Sequence, residues 1–387
     1  GSGPTPTPTP VPTGAAYFHP VSPVRIVDTR NGTGAPRQPI GPGERIRVKV
    51  AGTAGLPATG LKAVVANVTA VQPTQAMHFT VYPGRVDRPT TSNLNAVPGR
   101  PVPNLVVMAV GDDGCIEVFN SHGRTHCLVD VFGYTDGRSN GGVKFNPTVP
   151  RRLFDSRHGT GMRRGVLAAG DAVDVQVAGR GGVPKTGATA VVLNLTAVQP
   201  DRSGHLRVTP SGRKPATTSN VNFAAGDVVP NLVICELGDG GTLRIDAAAA
   251  STHVVGDVFG YFAADGDRLI TMAPRRLLDT RDGTGAPQRR LGPGRRVDLQ
   301  VAGIAGVPAA ATAVVLNVTA TRVAASSHVS VWPRGGADPS TSNLNLRAGR
   351  TIANLVICRV GEQQSVSLAN ALAECDLVAD VLGYFVT

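Results

Sequence analysis

A chain of 387 residues is long enough for two or three domains with cores of their own. Its formal net charge of +11, carried by 33 Arg and 5 Lys, would suit a polyanion, but no long block of basic residues is present; the excess is read as dispersed surface charge, and nucleic acid is not expected as a partner. No apolar run approaches the ~18 residues needed to cross a membrane, so membrane insertion is not expected.

The chain opens on GSG, which has the look of a cloning scar, and continues with PTPTPTPVPT at residues 4–13. Alternating proline forms neither helix nor sheet, so residues 4–13 read as a semi-rigid polyproline-II spacer, and residues 1–16 as the scar and a Pro/Thr linker to a further domain upstream. The phrase IVDTRNGTG at 26–34 then recurs as LFDSRHGTG at 153–161 and LLDTRDGTG at 277–285. Asp28, Asp155 and Asp279 are 127 and 124 residues apart. ANVTAV, TTSNLN, PNLVVM and DVFGY return at matching offsets. A period this long suits a whole small domain. It predicts three repeats at 17–135, 143–263 and 268–387, joined by short connectors.

Within a repeat the signals are those of short strands: β-branched runs punctuated by Gly, Pro, Asn and Asp. The third repeat offers eight of them: RRLLDTR, RRVDLQVAG, TAVVLNVTAT, HVSVWP, TSNLNL, ANLVICRV, SVSLAN and LVADVLGYF. GDDG and GDGG, between the sixth and seventh strands of repeats one and two, read as hairpin turns. The expectation is an all-β chain of three tandem antiparallel β-sandwich, jelly-roll-like domains of about 120 residues each.

Successive strand side chains point to opposite faces, which sorts the polar residues. In HFTVY, Phe79 and Val81 face the core, while His78, Thr80 and Tyr82 face away. The same face carries His205, Arg207 and Thr209 in repeat two and His328, Ser330 and Trp332 in repeat three. Histidines beside aromatic rings can hold sugar hydroxyls and stack on a pyranose, so these nine residues are the candidate ligand site. A second stripe is identical in every repeat: Asn67, Asn194 and Asn317 in one strand, and the pairs Asn93 and Asn95, Asn220 and Asn222, Asn343 and Asn345 in another. Identity across repeats favours a structural role, satisfying backbone groups inside each sandwich.

The DTR phrase is read in the same way. Asp28 and Arg30, Asp155 and Arg157, and Asp279 and Arg281 lie two apart on one face and can form a charge-assisted network that anchors the glycine turn. Asp130, Asp257 and Asp380 in the DVxGY phrase are candidate partners for those arginines. Of five cysteines, Cys115 with Cys127 and Cys358 with Cys375 fall within single repeats. They are expected as disulfides of an oxidising compartment, leaving Cys235 free. A zinc site from Cys115, His122, His126 and Cys127 has no counterpart in the other repeats, so no metal or other cofactor is expected. GxSxG, HExxH, Walker and GxGxxG signatures are missing, and an enzyme is not expected.

Taken together, RLLDTRxGTG, VAGxxGVP, AVVLNVTAT, TSNLN, ANLVI and DVxGYF resemble a repeat of actinobacterial secreted and surface-attached proteins, where it often follows a Pro/Thr linker. The resemblance implies an extracellular or cell-wall-associated accessory module and names no ligand. The reading is a non-catalytic binding or adhesion module for a cell-wall or extracellular polysaccharide, neutral or anionic, acting through three weak sites. A stalk or filament subunit without a small ligand is the alternative, and an enzyme a distant third.

Overall fold

A computed structural model describes residues 14–215 and 217–387 of the chain. The expected spacer at 4–13 lies outside them. The first repeat contains eight strands: β1 (Tyr17–Asp28), β2 (Arg45–Lys49), β3 (Leu61–Val71), β4 (Met77–Pro83), β5 (Leu94–Ala96), β6 (Val102–Ala109), β7 (Cys115–Asn120) and β8 (His126–Asp136). They form two four-stranded sheets, ordered β1-β8-β3-β6 and β2-β7-β4-β5, and the other repeats copy this arrangement. Every connection except β4–β5 passes from one sheet to the other. GDDG therefore links strands of different sheets and is not a hairpin turn of a single ladder, because turn residues specify only a local reversal of the chain.

β3 shows what the alternation of residues does here. Val64, Ala66, Val68 and Ala70 enter the core between the two sheets of their own repeat. Val65 faces the other way and joins a fourth core drawn from all three repeats, with Phe18, Phe132, Phe145, Phe259 and Phe385. Strands that bury both faces read as nearly continuous apolar runs, and VVANV is such a run.

That fourth core overturns the expectation of three tandem sandwiches. The six small sheets stand as the blades of a six-bladed β-propeller, two from each repeat. β6, β14 (Val228–Glu236) and β22 (Ile352–Arg359) each touch the other two, so the circuit is closed. At one end of the axis, single backbone bridges join the opening strands in rotation: Ala16 with Leu269, Phe18 with Val143, and Phe145 with Asp267. Aromatic rings seal that end, with centroids 4.5 Å apart for Phe18–Phe262 and 4.4 Å for Phe145–Phe385. The glycine of DVFGY makes room for them. A Cβ at Gly260 would lie 2.4 Å from the Phe145 ring, and one at Gly133 would lie 2.3 Å from Phe18.

The DTR phrase forms a clamp. The Arg281 guanidinium donates to both oxygens of Asp279, at 2.8 and 2.6 Å, and its backbone N–H donates to the same carboxylate at 3.0 Å. Arg30 on Asp28 and Arg157 on Asp155 repeat the geometry. The expected partnership of Asp380 with Arg281 is not found. Asp380 instead accepts from Arg276 at 2.5 Å, and Arg276 also reaches Asp279 at 2.8 Å. The register explains this, since Arg276 lies directly opposite Asp380 in the ladder. Arg25 with Asp130 and Arg152 with Asp257 are the equivalents.

Hydrogen bonds from Arg281 hold the Asp279 carboxyl down at about 2, below its ordinary 3.8, against the upward push of burial. Burial instead raises Asp380, despite Arg276. The Asp279 contribution is complete above its unfolded pKa and fades as pH falls through the folded value. Asp279→Asn should therefore cost about 2 kcal/mol near neutral pH. Its deficit against wild type should narrow from about pH 4 downward and vanish only below about pH 2, as read by urea titration at stepped pH. A deficit that stays constant across that range would show that the charge is not what stabilises the turn.

The predicted disulfides are absent, and all five cysteines are buried free thiols. A bridge needs Cα atoms within about 7 Å. Cys358 lies opposite Val314, which also lies opposite Tyr384, nine residues beyond Cys375 along the same segment, or about 30 Å. Cys115 begins β7 and Cys127 is the second residue of β8, in the other sheet, and β7 alone puts about 16 Å between Cys115 and the turn that leads to Cys127. Burial pushes the Cys375 thiol up to about 12.

Candidate functional site

Six of the nine stripe asparagines are buried and hydrogen-bonded to backbone, between repeats as well as within them. Asn93, Asn220 and Asn343 accept from the backbone N–H of Val81, Val208 and Val331 inside their own repeats. Asn67, Asn194 and Asn317 reach across to the backbone oxygens of Ser219, Ser342 and Ser92 in the next repeat, at 2.9, 2.7 and 2.7 Å. Three asparagines from the PNLV and ANLV phrases complete the circuit. Asn231 donates to Asn67 at 3.0 Å, Asn354 to Asn194 at 2.9 Å, and Asn104 to Asn317 at 3.0 Å. Their carbonyls accept from Leu105, Leu232 and Leu355, again in rotation. All six side chains are buried. Asn104, Asn231 and Asn354 were missed as site builders, although each is an amide at the same place in an otherwise apolar strand of every repeat.

Above this circuit the β5–β6 segments of the three repeats converge on one mouth at the axis, with about 60 Å³ of interior space. Its floor is apolar: Val102 and Pro103, Val229 and Pro230, Ile352 and Ala353. Asn95, Asn222 and Asn345 stand half-buried around it. Arg100, Asp227 and Arg350 occupy equivalent places in the three repeats. Buried Asp227 pairs with Arg100 and, at 3.2 Å, with Arg347, so one carboxylate ties the second repeat to both others. Arg350 lines the mouth, and its guanidinium pairs with no group among the described residues.

The histidines predicted as ligands stand one strand behind this rim. His78 lies opposite Asn95, His205 opposite Asn222, and His328 opposite Asn345. Side chains so placed have Cβ atoms about 4.5–5.5 Å apart. All three imidazoles are half-buried, and burial lowers their pKa values, so they are neutral donor–acceptors at neutral pH.

Of the rest of the predicted face, all but Arg207 is buried. Tyr82 is 1% and Trp332 is 3% exposed, and the indole N–H of Trp332 donates to the Gly336 carbonyl. Neither ring has a free face for a sugar. Thr80 donates to the Thr91 backbone, Ser330 donates to the Thr341 backbone, and Thr209 is buried. Arg207 is half-buried opposite Asp246. Alternation assigns a side, but it does not reveal that the following loop covers that side. Among the described residues no group of three or more His, Cys, Asp or Glu is placed to hold a metal ion. No protein-family model matches the chain, and no curated protein matches it.

Proposed function

We propose that the protein is a non-catalytic binding module of the cell surface or secreted space that recognises a cell-wall or extracellular polysaccharide, and that its site is the axial mouth. The observation that carries this reading is the convergence of three equivalent asparagines, Asn95, Asn222 and Asn345, on one opening, each with a histidine opposite it on the strand behind. Three amides offer donors and acceptors in several directions, the inventory that sugar hydroxyl and acetamido groups require. The apolar floor suits the carbon face of a substituent, and the interior volume admits a substituent rather than a whole ring. One composite site replaces the three independent weak sites expected from the repeats. The likeness to repeats of actinobacterial surface proteins agrees with this placement, and a domain beyond the Pro/Thr segment belongs to the same proposal.

The test is calorimetric titration of the whole chain with solubilised cell-wall polysaccharide. Replacing Asn95, Asn222 and Asn345 together by Ala should weaken binding about tenfold or more, because three amides contribute, while leaving thermal unfolding within a few degrees. Full binding by that variant would move the site away from the axis. Wild-type protein that binds none of the wall fractions would favour a stalk.

A further inference from the structure

The three repeats provide an internal comparison, because what the scaffold needs is present in each. One cleft departs from it. It lies beside the loop between β17 (Arg268–Asp279) and β18 (Arg295–Gln300), encloses about 650 Å³, and is lined by Arg289, Arg290, Arg295 and Arg296. Matching bridges, Ile40–Thr125, Leu167–Thr252 and Leu291–Cys375, fix the equivalent positions. The first repeat has Gln38, Pro39, Glu44 and Arg45 there, and the second has Gly165, Val166, Asp171 and Ala172. The formal charge of the four positions is therefore 0, −1 and +4.

The reversal at Arg295 is the most telling. Its counterpart Glu44 accepts from the Gly41 backbone N–H at 2.8 Å and so caps the turn. A guanidinium cannot accept, so the third repeat gives up that bond and gains a cation. The neighbouring acids do not balance the cleft. Arg290 pairs with Glu374 at 3.2 Å, Arg296 pairs with Asp298 at 3.0 Å, and Asp376 is taken by Arg322 at 2.6 Å. Arg334 approaches Asp298 as well, at 3.5 Å. Arg289 and Arg295 flank the Gly292–Gly294 turn and are exposed, and their guanidinium groups have no partner among the described residues. The arginine-turn-arginine order of QRRLGPGRR hides the cluster from a linear reading, because four cations on both arms of a turn do not form a run.

We propose that this cleft is a second binding site, for phosphodiester groups of an anionic polyol-phosphate polymer, separate from the axial mouth and independent of its assignment. Two exposed guanidinium forks lining one cleft present charge-assisted donors to phosphodiester oxygens, and that group keeps its charge at every physiological pH. Among the described residues no aromatic ring lines the cleft, so a nucleic acid would find no surface there on which to stack a base.

Arg289→Ala combined with Arg295→Ala tests this in the whole chain, with poly(glycerol phosphate) as probe and calorimetry at several salt concentrations. The double variant should bind about tenfold more weakly, with a shallower dependence of log Kd on log salt, and with its melting temperature unchanged. The asparagine variant of the axial mouth should bind the probe as wild type does. Unchanged affinity in the arginine variant overturns the proposal. So does tighter binding of a single-stranded oligodeoxynucleotide of equal charge, which would reassign the cleft to nucleic acid.

Discussion

Asn231→Ala should lower stability by about 3–6 kcal/mol, although the residue touches no ligand and belongs to no core cluster. Its amide nitrogen donates to the Asn67 side chain and to the Asn220 carbonyl, and its oxygen accepts from Leu105. Truncation strands three buried polar groups at once, each costing about 1–3 kcal/mol. Two of them belong to the neighbouring repeat, so the damage crosses the seam. Urea unfolding of this variant should be compared with Asn222→Ala at the half-buried rim, which should change stability by less than about 1 kcal/mol. Equal losses would mean that burial of the circuit contributes nothing beyond ordinary surface polarity. A loss below about 1 kcal/mol for Asn231→Ala would remove the circuit from the account of what joins the repeats.

Phe145→Ala should cost about 3–5 kcal/mol, the usual range for emptying a fully buried aromatic site. The ring contacts Phe262 of its own repeat and Phe385 of the third, with centroids 5.3 and 4.4 Å away. Because the void opens in the shared core, all three repeats should be destabilised together, and calorimetry should show one transition at a lower temperature. Domains strung in line would behave otherwise: the second repeat would melt early while the first kept its wild-type temperature. Three resolved transitions, or an unmoved first repeat, would contradict the closed circuit.

Local and periodic features were readable in advance. All eight strand segments of the third repeat are strands, and the DTR clamp forms as its two-residue spacing suggests. Closure was not read, although a trace of it was present. Val65, Val192 and Val315 share a face with Asn67, Asn194 and Asn317, and an apolar residue beside each amide marks a surface that must be covered. Period-two alternation cannot say whether the covering element is the same repeat or the next. Depth was lost for the same reason at Tyr82 and Trp332, whose side was right and whose exposure was wrong. The cysteine pairing rested on membership of a repeat, whereas a disulfide depends on register. The rim asparagines Asn95, Asn222 and Asn345 were grouped with their buried neighbours because nothing in TSNLN distinguishes the amide that caps a strand from the one left at an opening.

The rotation of contacts from first repeat to second, second to third and third to first has an arithmetical consequence. Each seam consumes one donor edge and one acceptor edge, and with three copies none is left over. A fourth copy in the same chain would find no vacancy. A single copy would need two companions, and a pair would need one more. Mutation can therefore diversify one copy only as long as both of its seams still match. The two arginines and one aspartate at equivalent positions, Arg100, Arg350 and Asp227, show that freedom in use: one third of the ring has changed sign while the ring itself still closes.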